Sequence, residues 1–314
     1  MPTAGCQLPT LIIEIIKLTK QYYQFKPNDM FEMFHLNFMV QAFIISLITG
    51  LFLSYLGVHV VGRGIVFVDL ALGQISSFGG AVAAFVGFGL TTIPVVFTLL
   101  GALLISLIDI RDKRLKLEAV IGIIYAFASA ATVMLISKTP HGDSDIQEVL
   151  FGNILSVNSS QMTITCIVFV ALMIMHIIFQ KKFFALTESF EADNIENKGF
   201  NIWNFLFYIS IGLSIVFAVR ISGVIPVFSY LIIPSVCAII LARSNKTVVI
   251  IAMLVSFFGS FTGLNISFHF DFPAGSSIVA TLGGSFILVS LVPLIKHFFF
   301  KKDKSASKFE LRIG

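Results

Sequence analysis

The residue best placed for chemistry in this chain is Asp69, a carboxylate within the apolar segment IVFVDLALGQISSFGG. An ionisable group inside such a segment is costly and usually faces the interior of a helix bundle or water. Carboxylate oxygens there can contact a passing divalent cation. Two interpretations stay open: Asp69 lines a path for a cation, or it lies at a membrane surface with its charge in water.

Small residues share one helical face with Asp69, because they follow it at spacings of three or four. Such a face lets helices approach closely. Gln74 adds an amide oxygen nearby, but it lies about 140° around the helix from Asp69 by 3.6-residue geometry. The two side chains therefore do not form one ligand pair by themselves. The small residues of this face are Gly73, Ser76, Gly80, Ala84 and Gly87.

A second group of candidate ligands lies in the polar loop 138–160, which contains His141, Asp143 and Asp145. Acidic residues attract cations, and oxygen and imidazole groups are common metal ligands. The competing interpretation is a solvated polar loop without a specific role. We expect these three residues to receive a cation, or a protein that carries one, at the outer mouth of a path.

The elements that must position these groups are apolar helices. The chain has 314 residues, of which 57% are hydrophobic and 12% charged, and its mean hydropathy is +0.95. These values exclude an ordinary soluble domain and predict an all-α, polytopic membrane protein with about eight or nine transmembrane helices. The apolar stretches lie near 34–57, 65–88, 92–108, 119–137, 161–180, 202–219, 224–242, 247–267 and 276–295.

The stretch 224–242 is unusual because it contains both Pro226 and Pro234. Proline removes a backbone donor and clashes with the preceding turn. Breaks of this kind survive in membranes where neighbouring protein satisfies the freed backbone groups. The stretch is therefore either a kinked membrane helix with a basic end, or a partly re-entrant helix–break–helix that presents a short cytoplasmic element to a partner.

Lysines and arginines are concentrated in alternate gaps between the stretches, on the side that holds Arg63 and the basic cluster at 111–116. Positive residues are retained in the cytoplasm, so this side is predicted to be cytoplasmic. The chain then divides into an N-terminal arm with an amphipathic helix (1–32), a transmembrane domain (33–298) and a basic cytoplasmic tail (299–314).

Catalytic motifs are missing from the sequence, which has no GxxxxGK[ST] phosphate loop, no HExxH zinc motif and no GxSxG nucleophile elbow. The cysteines Cys6, Cys166 and Cys237 share no metal-binding spacing. We therefore expect a protein that is not an enzyme, has no cofactor and binds no nucleic acid. A membrane-embedded enzyme would need reactive groups inside the spans, and Asp69 is the one firm candidate.

Five segments of the sequence, in order, resemble the permease subunits of metal-ion ABC importers, the family that takes up zinc, manganese or iron(II). The resemblance implies a type II importer permease of the cell membrane that contacts lipid and pairs with a second copy as a homodimer. It also implies a separate cytoplasmic ABC ATPase and an extracytoplasmic metal-binding protein. The segments are GVHVVGRGIVFVDLALGQISSFGGAVAAFVG, LEAVIGIIYAFASAATVMLIS, EVLFGNILSVN, RISGVIPVFSYLIIPSVCAIILAR and DFPAGSSIVA.

The resemblance also assigns a coupling region. Residues 234–246 are similar to the part of these permeases that rests on the ATPase. Pro234, Ala238 and Arg243 are therefore expected to contact that partner. This role agrees with the missing phosphate loop, because the ATP would be hydrolysed by a separate subunit.

The chain departs from the family pattern in the second span, where an Asp is followed four residues later by a His. Leu70 stands at the Asp position and Gln74 at the His position. Asp69 and Gln74 are the expected path contacts, with zinc as the favoured substrate and manganese or iron(II) as alternatives. A secondary ion transporter, the less favoured class, would need an internal repeat with paired broken helices.

Overall fold

A computed structural model describes the protein over residues 27–108, 117–138, 152, 154–157, 159–191 and 201–310. Within these ranges the chain is helical, which confirms the all-α prediction, and two short 3-10 helices span Pro27–His35 and Ile154–Ser156. The amphipathic helix expected in the N-terminal arm falls on residues outside this description. The α-helices are α1 (Asn37–Gly62), α2 (Val68–Val86), α3 (Thr92–Leu107), α4 (Leu117–Ile136), α5 (Ser159–Ile178), α6 (Gln180–Glu191), α7 (Ile202–Ser222), α8 (Val224–Leu241), α9 (Asn245–Phe270) and α10 (Ala274–Glu310).

Each of the nine apolar stretches coincides with a helix. In the described ranges, 8 helices are long and apolar enough to cross a membrane: α1, α2, α4, α5, α7, α8, α9 and the first part of α10. The ninth, α3, has 16 residues. The prediction of eight or nine spans is confirmed. Helices suit a membrane because each helix satisfies its own backbone groups where no water is present.

The start of α4 lies at the same end of the bundle as the turn between α1 and α2. The backbone N–H of Val66 in that turn donates to Glu118 Oε1 at 3.3 Å. Along α2 from Gly79 back to Ile75, the neighbours on α3 advance from Pro94 to Gly101. The short helix α3 therefore runs antiparallel to α2 and packs along it.

The helices pack as two groups that meet at α7 and α8. Helices α1, α8, α9 and α10 form one group, and α2 packs with α3, α4 and α7 in the other. A single residue, Gly223, joins α7 to α8 and has φ 80°, a backbone conformation that favours glycine. This sharp reversal holds the ends of the two helices together and so connects the two groups.

Helices α1 and α8 approach so closely that their backbones nearly touch. A Cβ added at Gly57 would lie 1.7 Å from the carbonyl oxygen of Leu231 and 2.4 Å from Ser235 Oγ. The Ser235 hydroxyl bridges the two helices, since it reaches the carbonyl oxygen of Ser54 at 3.0 Å. Small residues at such a crossing give the close packing that associates helices in a membrane.

Helix α8 is continuous from Val224 to Leu241, although Pro234 lies inside it. The helix–break–helix interpretation of this stretch is therefore wrong, and the alternative of a single membrane helix is the correct one. Pro226 lies in the first turn, where a backbone N–H would have no partner within the helix. Pro234 is buried between helices, where neighbouring protein can accommodate the lost hydrogen bond.

The predicted boundary between the transmembrane domain and the tail does not interrupt the backbone. Helix α10 begins at Ala274, contains Pro293 and continues to Glu310. Its apolar, membrane-length part ends at Pro293. The basic segment that follows is therefore an extension of the same helix over the residues described.

The α1–α8 crossing predicts a sharp response to one methyl group. Gly57→Ala should lower stability by about 1–3 kcal/mol, because overpacking forces the two backbones apart. Gly122→Ala on α4 is the matched control, since an added Cβ there meets nothing within 4 Å. The measurement is the thermal unfolding midpoint of the detergent-purified protein. Equal midpoints for both variants would contradict the close approach.

Candidate functional site

Asp69 is the second residue of α2 and is buried inside the protein. It is 2% exposed, and neither carboxylate oxygen has a hydrogen-bond partner among the described residues. The amino end of α2 supplies a positive potential that favours a carboxylate in the first turn. The burial argues against a side chain whose charge rests in water at the membrane surface.

The face of α2 that carries Asp69 is turned towards the junction of α7 and α8. One helical turn on from Asp69, a Cβ added at Gly73 would lie 3.4 Å from Val224 and 3.6 Å from Val219. Gln74 is also buried, but it points to another side of the helix. The two sequence-predicted path residues thus share a helix without sharing a site, as their spacing indicates.

A cavity of about 360 Å³ lies farther along α2, and Ser76 and Gly80 of the small-residue face line it. The charged residue among its lining residues is Arg220, whose guanidinium donates to the Thr91 hydroxyl. Arg220 is exposed, and its positive charge disfavours a cation beside it. The cavity is therefore not a cation site by itself, although it opens next to the face on which Asp69 lies.

The close approach expected at Gly80 occurs one residue earlier. An added Cβ at Gly80 meets nothing within 4 Å, whereas one at Gly79 would lie 2.9 Å from the Cα atom of Pro94 and 3.0 Å from Phe97 Cβ. Helix α3 packs against the Gly79 side. The expectation that Gly80 allows helix approach is corrected. Small residues occur on two adjacent sides of α2, and their spacing does not indicate which side packs against α3.

Two of the three residues expected to contact an ATPase are inaccessible. Pro234 and Ala238 are buried, and Ala238 packs in a small apolar cluster with Val58, Val248 and Ala252. Neither side chain lies at the surface of this chain, and their role in coupling to the ATPase stays a prediction. Arg243, the third residue, is exposed just beyond the end of α8.

The end of α8 presents an exposed apolar surface. Ile239, Ile240 and Leu241 are 43%, 39% and 43% exposed. Consecutive residues of a helix point about 100° apart, so this exposure extends over about 200° of the helix end. The helix end and Arg243 together form an exposed surface. We call these four residues the α8 end surface.

A buried polar cluster close to the α8 end surface was not anticipated as a unit. Arg63 is 7% exposed and donates to Thr187 Oγ1 at 3.2 Å and to Asn204 Oδ1 at 3.3 Å. Its guanidinium carbon lies 3.5 Å from the centre of the Phe207 ring. Burial lowers the pKa of Arg63 to about 9, so the group stays largely charged at neutral pH. In the sequence, this cluster is marked by an arginine between Gly62 and Gly64, which does not indicate the side chains that contact it.

The outer-loop candidates His141, Asp143 and Asp145 lie outside the described residues, and their role stays a prediction. In the part of the chain that is described, no group of three or more His, Cys, Asp or Glu side chains is arranged to hold a metal ion. A tight metal centre is therefore not built into the described helices. What they offer is the single buried carboxylate of Asp69.

In the described part of the chain, membrane-length helices surround one buried carboxylate, an arrangement that fits a membrane transport protein. The chain belongs to the ABC 3 transport family, whose model matches residues 35–293. The match confirms the resemblance to the permease subunits of metal-ion ABC importers. The chain is accordingly a multi-pass plasma membrane protein and not an enzyme, and its ATPase is a separate subunit.

Characterised relatives are similar over most of their length. The manganese transport system membrane protein MntC of Listeria innocua is 27% identical over 270 residues, which cover 85% of this chain and 95% of the relative. The manganese import system permease protein ScaB of Streptococcus gordonii is 28% identical over 270 residues, covering 85% and 96%. The solved structure of PsaBC from Streptococcus pneumoniae in complex with Fab matches with a TM-score of 0.69 and 27% identity, covering 81% of this chain and 91% of the other.

The exposed position of Arg243 predicts a specific effect of charge reversal. Arg243→Glu should uncouple ATP hydrolysis from uptake while leaving the amount of protein in the membrane unchanged, because the residue makes no buried contact. Arg243→Lys keeps the charge and should retain most coupling. Uptake and ATP hydrolysis by the assembled transporter are measured together. Unchanged coupling in Arg243→Glu would remove this residue from the ATPase contact.

Proposed function

We propose that this chain is the permease of an ATP-driven importer of divalent metal, with manganese as its main substrate. The observation that carries the proposal is Asp69, a buried carboxylate in the first turn of α2 whose oxygens have no hydrogen-bond partner from any other helix in the described structure. The names of the similar proteins from Listeria and Streptococcus also refer to manganese. They support manganese over zinc, which the sequence alone favoured.

The donor chemistry supports the same choice of metal. Zinc prefers imidazole and thiolate ligands, whereas manganese is well served by carboxylate, carbonyl and water oxygens. The position where related permeases carry a histidine holds Gln74, which offers an amide oxygen. The Asp69 carboxylate and water oxygens therefore suit a hard cation better than zinc, and Gln74, on another side of α2, adds no imidazole. Iron(II) is the second candidate, because it also accepts oxygen ligands.

A path of this kind needs weak contacts. One carboxylate with water molecules can replace part of the hydration shell of the ion and then release it, whereas a closed tetrahedral site would trap it. We infer that His141, Asp143 and Asp145 receive the ion or its binding protein outside and that Asp69 contacts the ion within the membrane. A second copy of the chain, as a homodimer, and an ATPase at the α8 end surface complete the proposed transporter.

The proposal predicts that the charge of Asp69 is needed for transport. Asp69→Asn keeps the size and removes the charge, so manganese accumulation should fall about tenfold or more, the loss expected for one charge-assisted contact. Asp69→Glu should be partly tolerated. Accumulation is measured in cells with external manganese limiting and is normalised to the membrane level of each variant. Parental transport by Asp69→Asn would show that the path ligands lie elsewhere.

A selectivity change is expected at Gln74. Gln74→His replaces an oxygen donor by imidazole, so zinc uptake relative to manganese should rise several-fold. Gln74→Glu retains an oxygen donor and should keep the preference for manganese. The ratio is obtained from competition between the two metals in the same cells. An identical ratio in the parent and in Gln74→His would mean that Gln74 does not face the ion.

A further inference from the structure

Helix α6 differs from the other helices because it is short, follows α5 almost directly and combines buried with exposed residues. It has 12 residues. Phe183 and Thr187 are buried, whereas Lys181, Lys182 and Glu188 are exposed. The helix packs on α1 and α7. It therefore lies along one end of the bundle with one side against the protein.

The inner side of α6 is attached to the end of α1 through Thr187. The Thr187 hydroxyl donates to the carbonyl oxygen of Phe183 at 3.0 Å and accepts from Arg63 Nε at 3.2 Å. The hydroxyl has only one proton, and it is used in the bond to Phe183. The imidazole N–H of His59 therefore donates from Nδ1 to Thr187 Oγ1 at 2.9 Å. Thr187 therefore joins two residues from the end of α1 in a site where a lost hydrogen bond would leave buried polar groups.

Aromatic contacts make this attachment rigid. The Phe183 ring stacks on His176 with centroids 4.3 Å apart and planes at 14°. The Phe184 ring lies 4.5 Å from the His59 ring. These contacts hold α6 against α5 and α1 on both sides of Thr187. Helix α6 is therefore in direct contact with both α5 and the end of α1.

The outer side of α6 reaches the start of α9. The side-chain N–H of Asn245 donates to Glu188 Oε1 at 3.1 Å. Asn245 is the first residue of α9 and follows Arg243 by two positions. The bond thus connects α6 to the turn that includes part of the α8 end surface. Glu188 and Thr187 are consecutive, so one stiff helix contacts both places.

We propose that α6 links the ATPase contact to the ion path, with Glu188 and Thr187 as positioning residues. This inference rests on the proposed function, because the α8 end surface is taken as the site of the ATPase. Movement of the turn between α8 and α9 pulls Glu188 through Asn245. Thr187 passes the movement to Arg63. Arg63 opens the short turn that leads into α2, six residues before Asp69.

A second route runs directly from α8 to α1 through the crossing at Gly57. That crossing joins α1 near its carboxyl end to the middle of α8, whereas α6 reaches Arg63 in the turn between α1 and α2. Motion carried by the crossing alone would not depend on the Thr187 hydroxyl or on the Glu188 carboxylate. The two routes are therefore separated by substitutions on α6.

The first test measures amide hydrogen exchange at residues 63–67 in the assembled transporter, with and without a non-hydrolysable ATP analogue. In the parent, the nucleotide should change the exchange rate of this turn. Glu188→Ala and Thr187→Val should reduce that change about threefold or more, while nucleotide binding is retained. Glu188→Gln and Thr187→Ser, which keep an acceptor oxygen or a hydroxyl, should restore it. An undiminished change in both Glu188→Ala and Thr187→Val overturns the proposal.

Ser189→Ala is the control on the same helix, because the Ser189 hydroxyl bonds only locally in the described contacts, to the carbonyl oxygen of Leu186. It should leave the nucleotide-dependent change intact. Glu188→Ala removes an exposed bond and should fold normally, so loss of folding in Thr187→Val does not remove the test. An equal reduction in Ser189→Ala would count against a specific link.

The second test measures manganese transported per ATP hydrolysed in proteoliposomes. Glu188→Ala should lower this ratio about threefold or more, and Glu188→Gln should restore it. An unchanged ratio overturns the link. A parent that transports no manganese contradicts the proposed function instead, and the exchange measurement, which needs no metal, still decides whether α6 is the link.

Discussion

The constraint on which the structure depends is the high cost of placing charged groups inside a membrane protein. Arg63 and Asp69 lie six residues apart and are both buried, but the contacts around the two charged groups differ. Arg63 has Thr187, Asn204 and the face of Phe207 as partners. Asp69 has no hydrogen-bond partner among the described residues. Only the amino end of α2 offsets the cost of burying this charge, so Asp69 is the group whose burial is best explained by a role in transport.

The helices around these two charges have distinct tasks. Helices α1 and α8 pack closely at Gly57. The one-residue link at Gly223 keeps the ends of α7 and α8 together and so connects the two groups of helices. Helix α2 carries the carboxylate and borders the cavity, and the exposed end of α8 is the proposed contact for the ATPase. The proposed transporter separates the two tasks, because the ion is contacted weakly in one place while the ATPase acts in another.

Much of this was predictable from the sequence, and what was missed has physical reasons. Hydropathy predicted the helices because a membrane admits few other structures. It could not decide whether Pro234 breaks α8, since that depends on neighbouring packing. Whether Ala238 is buried also depends on which helices pack around it. In the same way, the packing of α3 decides whether the close approach falls at Gly79 or at Gly80. The partners of Arg63 were out of reach, because Thr187 and Asn204 come from distant segments whose pairing is set by tertiary contacts.

The most direct measurement is manganese binding to the purified transporter, followed by the loss of the electron paramagnetic resonance signal of the hydrated ion. The parent and Asp69→Asn are titrated under identical conditions, so that any binding by the outer loop cancels in the comparison. If Asp69 contacts the ion, the parent should bind additional manganese that Asp69→Asn does not. Identical titration curves for two equally well-folded proteins would contradict the assignment of Asp69 to the ion path.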